Sequence, residues 1–183
     1  MAICKKRIPM RECIGMFFFQ EGDSMDRFGI MFVCHGNICR STMADFVMRD
    51  MLEQAGLEDK VAVASSATST EEIGNPVHHG TRRMLERHGI SCDGKRAVQL
   101  KRSDYDRYDL FVGMDGANIR NMRRMLGGDA QGKVAKLLQF PEGTSADAAS
   151  DVADPWYTGD FEETWRDVVA GCSALLEYLR ERL

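Results

Sequence analysis

A chain of 183 residues, 44% hydrophobic and 28% charged, suits one sizeable globular core and is too short for two comfortable ones. Its net charge of −4, with both signs spread along the chain, excludes a dedicated nucleic-acid binder, which would show a basic face or tail. Six cysteines at positions 4, 13, 34, 39, 92 and 172 follow no disulfide-scaffold spacing, so a reducing, cytoplasmic setting is expected.

Residues 1–27 read as an N-terminal extension, loosely ordered, or as sequence upstream of a start at Met25. Lys5, Lys6 and Arg7 carry the charge of a signal-peptide start, but Arg11 and Glu12 interrupt the apolar run, and Ile14 to Phe19 is too short for one. No stretch approaches a membrane span, and no membrane partner is expected. The domain proper is expected over 28–183.

FGIMFVC (28–34) is a continuous apolar run, the mark of a strand buried on both faces. Gly36 and Asn37 allow a tight turn. A helix follows from about Ser41, with Met43, Phe46, Val47, Met51 and Leu52 on one face and Gly56 as its stop. VAVAS (61–65) reads as a second strand, and Thr81 to His88 as a short helix ended by Gly89. YDLFVGM (108–114) is a third strand, followed by a helix from Gly116 to Leu126. VAKLLQF (134–140) is the fourth strand candidate. Phe161 to Leu179 is the last helix, with Trp165, Val168, Val169, Cys172, Leu175, Leu176 and Leu179 as its apolar stripe. Alternation of strands and helices predicts an α/β fold, a single flavodoxin-like doubly wound domain with a central four-stranded parallel sheet. Ligands bind such sheets at the carboxyl ends of the strands, where Cys34 falls. The stretch 140–159 has neither period, and a connection of that length in a compact domain is a functional candidate.

Cys34-His35-Gly36-Asn37-Ile38-Cys39-Arg40-Ser41 combines a buried strand, a Gly-Asn turn and a helix start. Such an arrangement aims successive backbone N–H groups at one concavity, backed by the positive end of a helix dipole. Arg40 adds a planar fork matched to two phosphoryl oxygens. Thiols at helix N-termini and near cations titrate between about 3.5 and 7.5 rather than near 8.5. One set of charges is therefore expected both to bind a phosphate and to activate the Cys34 sulfur.

VCHGNICRS (33–41) resembles the phosphate-binding loop of the low-molecular-weight protein tyrosine phosphatases. The likeness continues through SSATSTEEIGNP (65–76), RHGI (87–90), MDGAN (114–118) and DPWYTGDFEETW (154–165), covering Phe28 to the C-terminus. The resemblance implies hydrolysis of phosphomonoesters through a phosphocysteine on Cys34, with Arg40 holding the transferred group and Ser41 bonded to the thiolate. It implies that the Asn37 side chain fixes the strained turn and that His88 supports that network. Asp154, in a Pro-braced turn, matches the family's general acid, which then acts as base on water. Trp156 and Tyr157 are expected to wall the pocket. The partners implied are phosphotyrosyl proteins or small aryl phosphates, acted on by a monomer or weak homodimer without a cofactor.

Three departures bear on substrate. Glu71 stands where many members carry an aromatic residue, His35 occupies a variable position facing the substrate, and Thr42 replaces a frequent proline. Weaker stacking on phosphotyrosine and a preference for basic flanks are expected. For Cys39 the resemblance implies a reversible disulfide with Cys34; simple packing beneath the loop is the alternative. Asp104, Asp109 and Asp115 read as caps or solvated loop residues. A thiol-dependent arsenate reductase is the nearest rival, but it needs a cysteine relay, and Cys92 stands alone. A phosphate-binding module without turnover leaves the set of Cys34, Arg40 and Asp154 unexplained. No metal is expected, because His78 and His79 lack a partner cluster.

Overall fold

Strand β1 (Phe28–Cys34) lies inside the sheet, with parallel partners on both edges, β2 (Val61–Ala67) and β3 (Leu110–Gly113). β4 (Val134–Lys136) pairs in parallel with β3, giving the order β2-β1-β3-β4. The structure is a computed structural model that describes residues 27–142, 145–146 and 148–183. All of the expected extension except Arg27 lies outside the described residues.

The continuous apolar run of β1 is explained by what its two faces meet. Ile30, Phe32 and Cys34 join Val61, Val63, Leu110 and Val112 in one core, beneath α1 (Arg40–Ala55), α2 (His79–Arg87) and α6 (Phe161–Arg180). Met31 and Val33 point the other way, onto Phe111, Val134 and the Ile119, Met122 and Leu126 side chains of α3 (Gly116–Leu126). Each fully buried side chain of this kind stabilises the fold by about 1.5–3 kcal/mol. Helices thus cover both faces of a four-stranded parallel sheet, the flavodoxin-like arrangement expected from the alternation.

Helix ends follow local chemistry. Gly56 closes α1 in the left-handed conformation (φ 66°), its amide reaching back to the last turn. The Asp115 side chain caps α3 by accepting the Asn118 amide. A 3₁₀ turn, Arg102–Asp106, precedes β3, and Asp104 caps it through the Lys101 amide. Asp109 accepts the Gly29 amide at 2.7 Å.

Two expectations need correction. The fourth strand stops at Lys136 rather than running to Phe140. The Lys136 amide is taken by Gln139 Oε1 at 2.9 Å, and the chain turns into α4 (Gln139–Glu142). The stretch 140–159 is also not wholly irregular, since Pro155–Thr158 forms one helical turn, α5. Asp154 caps it by accepting the Trp156 amide at 3.1 Å, Pro155 takes the first position, and Gly159 (φ 70°) ends it.

Gly171 sits inside α6, where glycine ordinarily costs about 1 kcal/mol relative to alanine. Here a Cβ would lie 2.4 Å from Leu137 Cγ, so the glycine is what lets α6 approach the end of β4. Gly171→Ala is expected to destabilise the protein by about 1–3 kcal/mol, the usual size of an overpacking effect. Urea denaturation checks this, and an unchanged or raised midpoint would contradict the close approach.

Candidate active site

The start of α1 is left open. Its N-cap is Cys39, no side chain caps it among the described residues, and its first turn carries no acid. A helix start with orphan N–H groups and no cap attracts an anion. The loop before it is built to the same end. Its carbonyls are spent outward: Thr68 N donates to Cys34 O, Ser69 N to His35 O, and His78 N to Ile38 O, all at 2.9–3.0 Å. The amides of His35, Gly36, Ile38 and Cys39 find no protein acceptor among the described residues.

Asn37 makes the sharp turn, with φ 57°, the one non-glycine residue in that region among those described. Asparagine tolerates this conformation better than most residues. Its side chain also donates from Nδ2 to Ser41 Oγ at 3.0 Å and to Thr42 Oγ1 at 3.5 Å, and accepts the Val98 amide at 3.1 Å. Thr42 Oγ1 in turn donates to Asn37 O at 2.8 Å. Cys34 Sγ lies against this brace, 3.0 Å from Ser41 Oγ and accepting the Asn37 amide at 3.3 Å.

Arg40 is 4% exposed. One terminal nitrogen lies 2.8 Å from Asp115 Oδ2 and donates to Val152 O at 3.4 Å; the other lies 2.6 Å from Asp154 Oδ2. Burial works against the charged guanidinium, but the Cys34 sulfur, Asp154 and Asp115 outweigh it and hold its pKa above the ordinary value. A cavity of about 450 Å³ opens beside Arg40, lined by Asp115, Arg120, Asp154 and Tyr157 among others.

The structure therefore brings Cys34, Asn37, Arg40, Ser41 and Asp154 together. Ile38 and Cys39 are buried and pack with Ala97 and Phe161. Burial, then the nearby Cys34 sulfur, push the Cys39 thiol up to about 12, the Thr81 hydroxyl acting in the opposite sense. Tyr157 and Trp156 are exposed on α5, which Asp154 caps; Tyr157 lines the cavity, and Trp156 presents an edge to His78. His78 is a helix cap, its Nδ1 accepting the Gly80 amide.

His88 is not where the resemblance puts it. It ends α2 on the surface, stacked on Trp165 with ring centroids 3.9 Å apart, and the Asn37 brace is completed by Thr42 and Val98 instead. Sequence reasoning also missed three partnerships. Asp115, read as a cap, is a cap and an Arg40 partner at once. Thr42 is a bracing residue rather than a neutral substitute for proline. His35 and Glu71 form an exposed pair, Nε2 to Oε2 at 2.8 Å, which joins the loop tip to the segment after β2. A partly buried network of Asp45 with Arg49 and Ser65, and of Lys95 with the Ser65 carbonyl, carried no sequence signal at all.

Comparison with known proteins gives this geometry its class. The family model described as low molecular weight phosphotyrosine protein phosphatase matches residues 29–183, and the chain belongs to that family. It is 40% identical over 152 residues to the low molecular weight protein-tyrosine-phosphatase YfkJ of Bacillus subtilis, covering 83% of this chain and 96% of that relative. The phosphatase PtpA of Staphylococcus epidermidis is 37% identical over 150 residues, covering 82% and 92%. Among solved structures, that of YfkJ superposes with a TM-score of 0.79 at 39% identity, over 85% of this chain and 96% of that one. The Streptococcus pyogenes enzyme SP-PTP gives 0.71 at 37% identity, over 85% and 93%.

Asn37→Ala removes the side-chain bonds to Ser41, Thr42 and Val98 and places alanine at a left-handed position. A loss of about 2–4 kcal/mol in unfolding free energy is expected from the unsatisfied partners and the strain together. Asn37→Gly, which relieves the backbone but not the bonds, should fall between the variant and wild type in denaturant titration. Equal midpoints for all three would contradict the bracing role.

Proposed function

We propose that the protein hydrolyses phosphomonoesters, phosphotyrosyl proteins and small aryl phosphates, through a phosphocysteine intermediate. The observation that carries this is the uncapped start of α1 beneath Cys34, with the Arg40 fork buried beside it. A phosphoryl dianion seated in the loop meets its unspent amides and takes over the guanidinium fork from the carboxylates that hold it in the free protein.

The chemistry follows in two steps. The Cys34 thiolate attacks phosphorus, and the P–S bond forms as the bond to the ester oxygen breaks. Asp154 gives its proton to that leaving oxygen. In the second step the Asp154 carboxylate takes a proton from water as the water oxygen bonds to phosphorus. The P–S electron pair then returns to Cys34, where Ser41 Oγ supports the departing thiolate. Arg40 and the loop amides stabilise the charge on the transferred group throughout. No helix among the described residues is long and apolar enough to cross a membrane. We place the activity in the cytoplasm on the cysteine usage of the chain.

Hydrolysis of p-nitrophenyl phosphate tests the reading. Cys34→Ser is expected to lower kcat by about 10³-fold or more, and Asp154→Ala to lower it by about 10²–10⁴-fold. Arsenate-dependent thiol oxidation without hydrolysis would favour a reductase instead. Phosphate binding with no turnover would favour a binding module.

The rim sets the substrate. Glu71, tied to His35, presents charge where an aromatic wall would stack on a phosphotyrosine ring. Glu71→Tyr is expected to raise kcat/KM for phosphotyrosyl peptides about 2–10-fold, the worth of one aromatic contact, and to erase a preference for basic flanking residues. Peptide kinetics unchanged in both respects would remove Glu71 from the specificity argument.

A further inference from the structure

A second buried cation lies outside the phosphate loop, at the carboxyl end of edge strand β4. The Lys136 side chain is 4% exposed. An ammonium loses several kcal/mol of hydration on such burial, which only pairing and hydrogen bonds of good geometry offset. Its Nζ donates to Ala149 O at 2.7 Å and lies 2.8 Å from Asp151 Oδ1. The same carboxylate oxygen accepts the Gly116 amide at 3.2 Å, one residue from the Asp115 that holds Arg40. The reaction steps above use none of these groups.

What the ammonium holds is the approach to Asp154. After the turn in which the Ala148 and Ala149 amides reach Ser145 O, the segment has little backbone pairing of its own among the described residues. The Val152 amide donates to Met114 O at 2.8 Å, and Val152 O accepts from Arg40. Ala153 is gripped from α6, its amide by Asp167 and its carbonyl by the Thr164 hydroxyl. Lys136 supplies the grip on the preceding residues, Ala149 and Asp151.

We propose that Lys136 is a positioning residue for the proton transfer, setting Asp154 over Arg40 by holding Ala149 and Asp151; this rests on the reading of Asp154 as proton donor. Without the ammonium, the Ala149 carbonyl loses its donor and Asp151 its cation, and a segment with few remaining bonds opens locally. A misplacement of about 1 Å costs a reacting group on the order of 10²-fold in rate. In kcat/KM that loss is read at the first step, donation to the leaving oxygen. It therefore grows with the basicity of the leaving group.

The test compares kcat/KM for phenyl phosphate, a poor leaving group, and p-nitrophenyl phosphate, a good one. Wild type, Lys136→Met, Lys136→Arg and Asp154→Asn are measured on both. Lys136→Met is expected to lose about 10–100-fold on phenyl phosphate and markedly less on the nitrophenyl ester, with Lys136→Arg recovering part of the difference. Equal losses on the two esters would mean that Lys136 serves the fold alone, and the proposal would fall. If Lys136→Met does not fold, Asp151→Asn takes its place, since that carboxylate is mostly exposed. It should show the same ester-dependent pattern, and equal losses there overturn the proposal too. Asp154→Asn separates the two levels: an ester-independent loss in that variant discards the proton-donor reading itself, and the Lys136 role with it.

Discussion

The carboxyl end of the sheet is organised around one buried guanidinium. Taking Arg40 out of water is expensive, and only partners of good geometry repay it. Three segments supply them: the cap of α3 through Asp115, the long loop through Val152 O, and the start of α5 through Asp154. Arg40 is itself the first residue of α1. The charge therefore fastens together parts of the chain that share no regular backbone pairing. Removing Arg40 would leave two carboxylates without their cation, and breaking a buried pair in this way costs about 3–5 kcal/mol. An incoming phosphoryl group offers the same fork geometry as a carboxylate. Exchange of one anion for another would keep the guanidinium paired.

The loop beside it follows a complementary rule. Its outward carbonyls are engaged by Thr68, Ser69 and His78, and its tightest turn is held by the side chains of Asn37, Ser41 and Thr42. Polar groups that are fixed before an anion arrives need no reorganisation when charge develops on it, the condition under which electrostatic stabilisation is most effective. The position of Cys34 depends on the same brace, because its sulfur touches Ser41 and the Asn37 amide. The geometry of the loop and the placement of the Cys34 sulfur are thus one structural property.

Much of this was legible in the chain, for reasons that can be named. FGIMFVC reads as a buried strand because both faces of β1 meet apolar cores. The loop reads as an anion site because strand, Gly-Asn turn and helix start are contiguous. VAKLLQF was less legible: an apolar run does not show where a strand yields to a helical turn, nor that the Gln139 side chain three residues on takes the Lys136 amide. His88 was misplaced because a short motif fixes a position in sequence but not the side of the helix end on which a ring falls. The Arg40–Asp115 and His35–Glu71 pairs span 75 and 36 residues, and no local pattern announces either. Lys95, partly buried, and Lys136, buried, were invisible for the same reason, since burial of a cation is decided by acceptors elsewhere in the chain.

The contacts made by Arg40 and by His35 differ in kind. Arg40 with Asp115 and Asp154 is buried, so weakening it disturbs the fold as well as the site. His35 with Glu71 is more than half exposed on both sides, and such pairs contribute about 0–1 kcal/mol to stability. A contact that matters so little to folding can be altered without disturbing the floor beneath it. The pocket therefore has a floor whose chemistry is locked to the stability of the domain and a rim that is nearly free to vary. The departure of Glu71 from the aromatic residue expected there falls on the rim. Substrate preference can thus diverge among proteins that share this floor while the hydrolytic machinery stays the same.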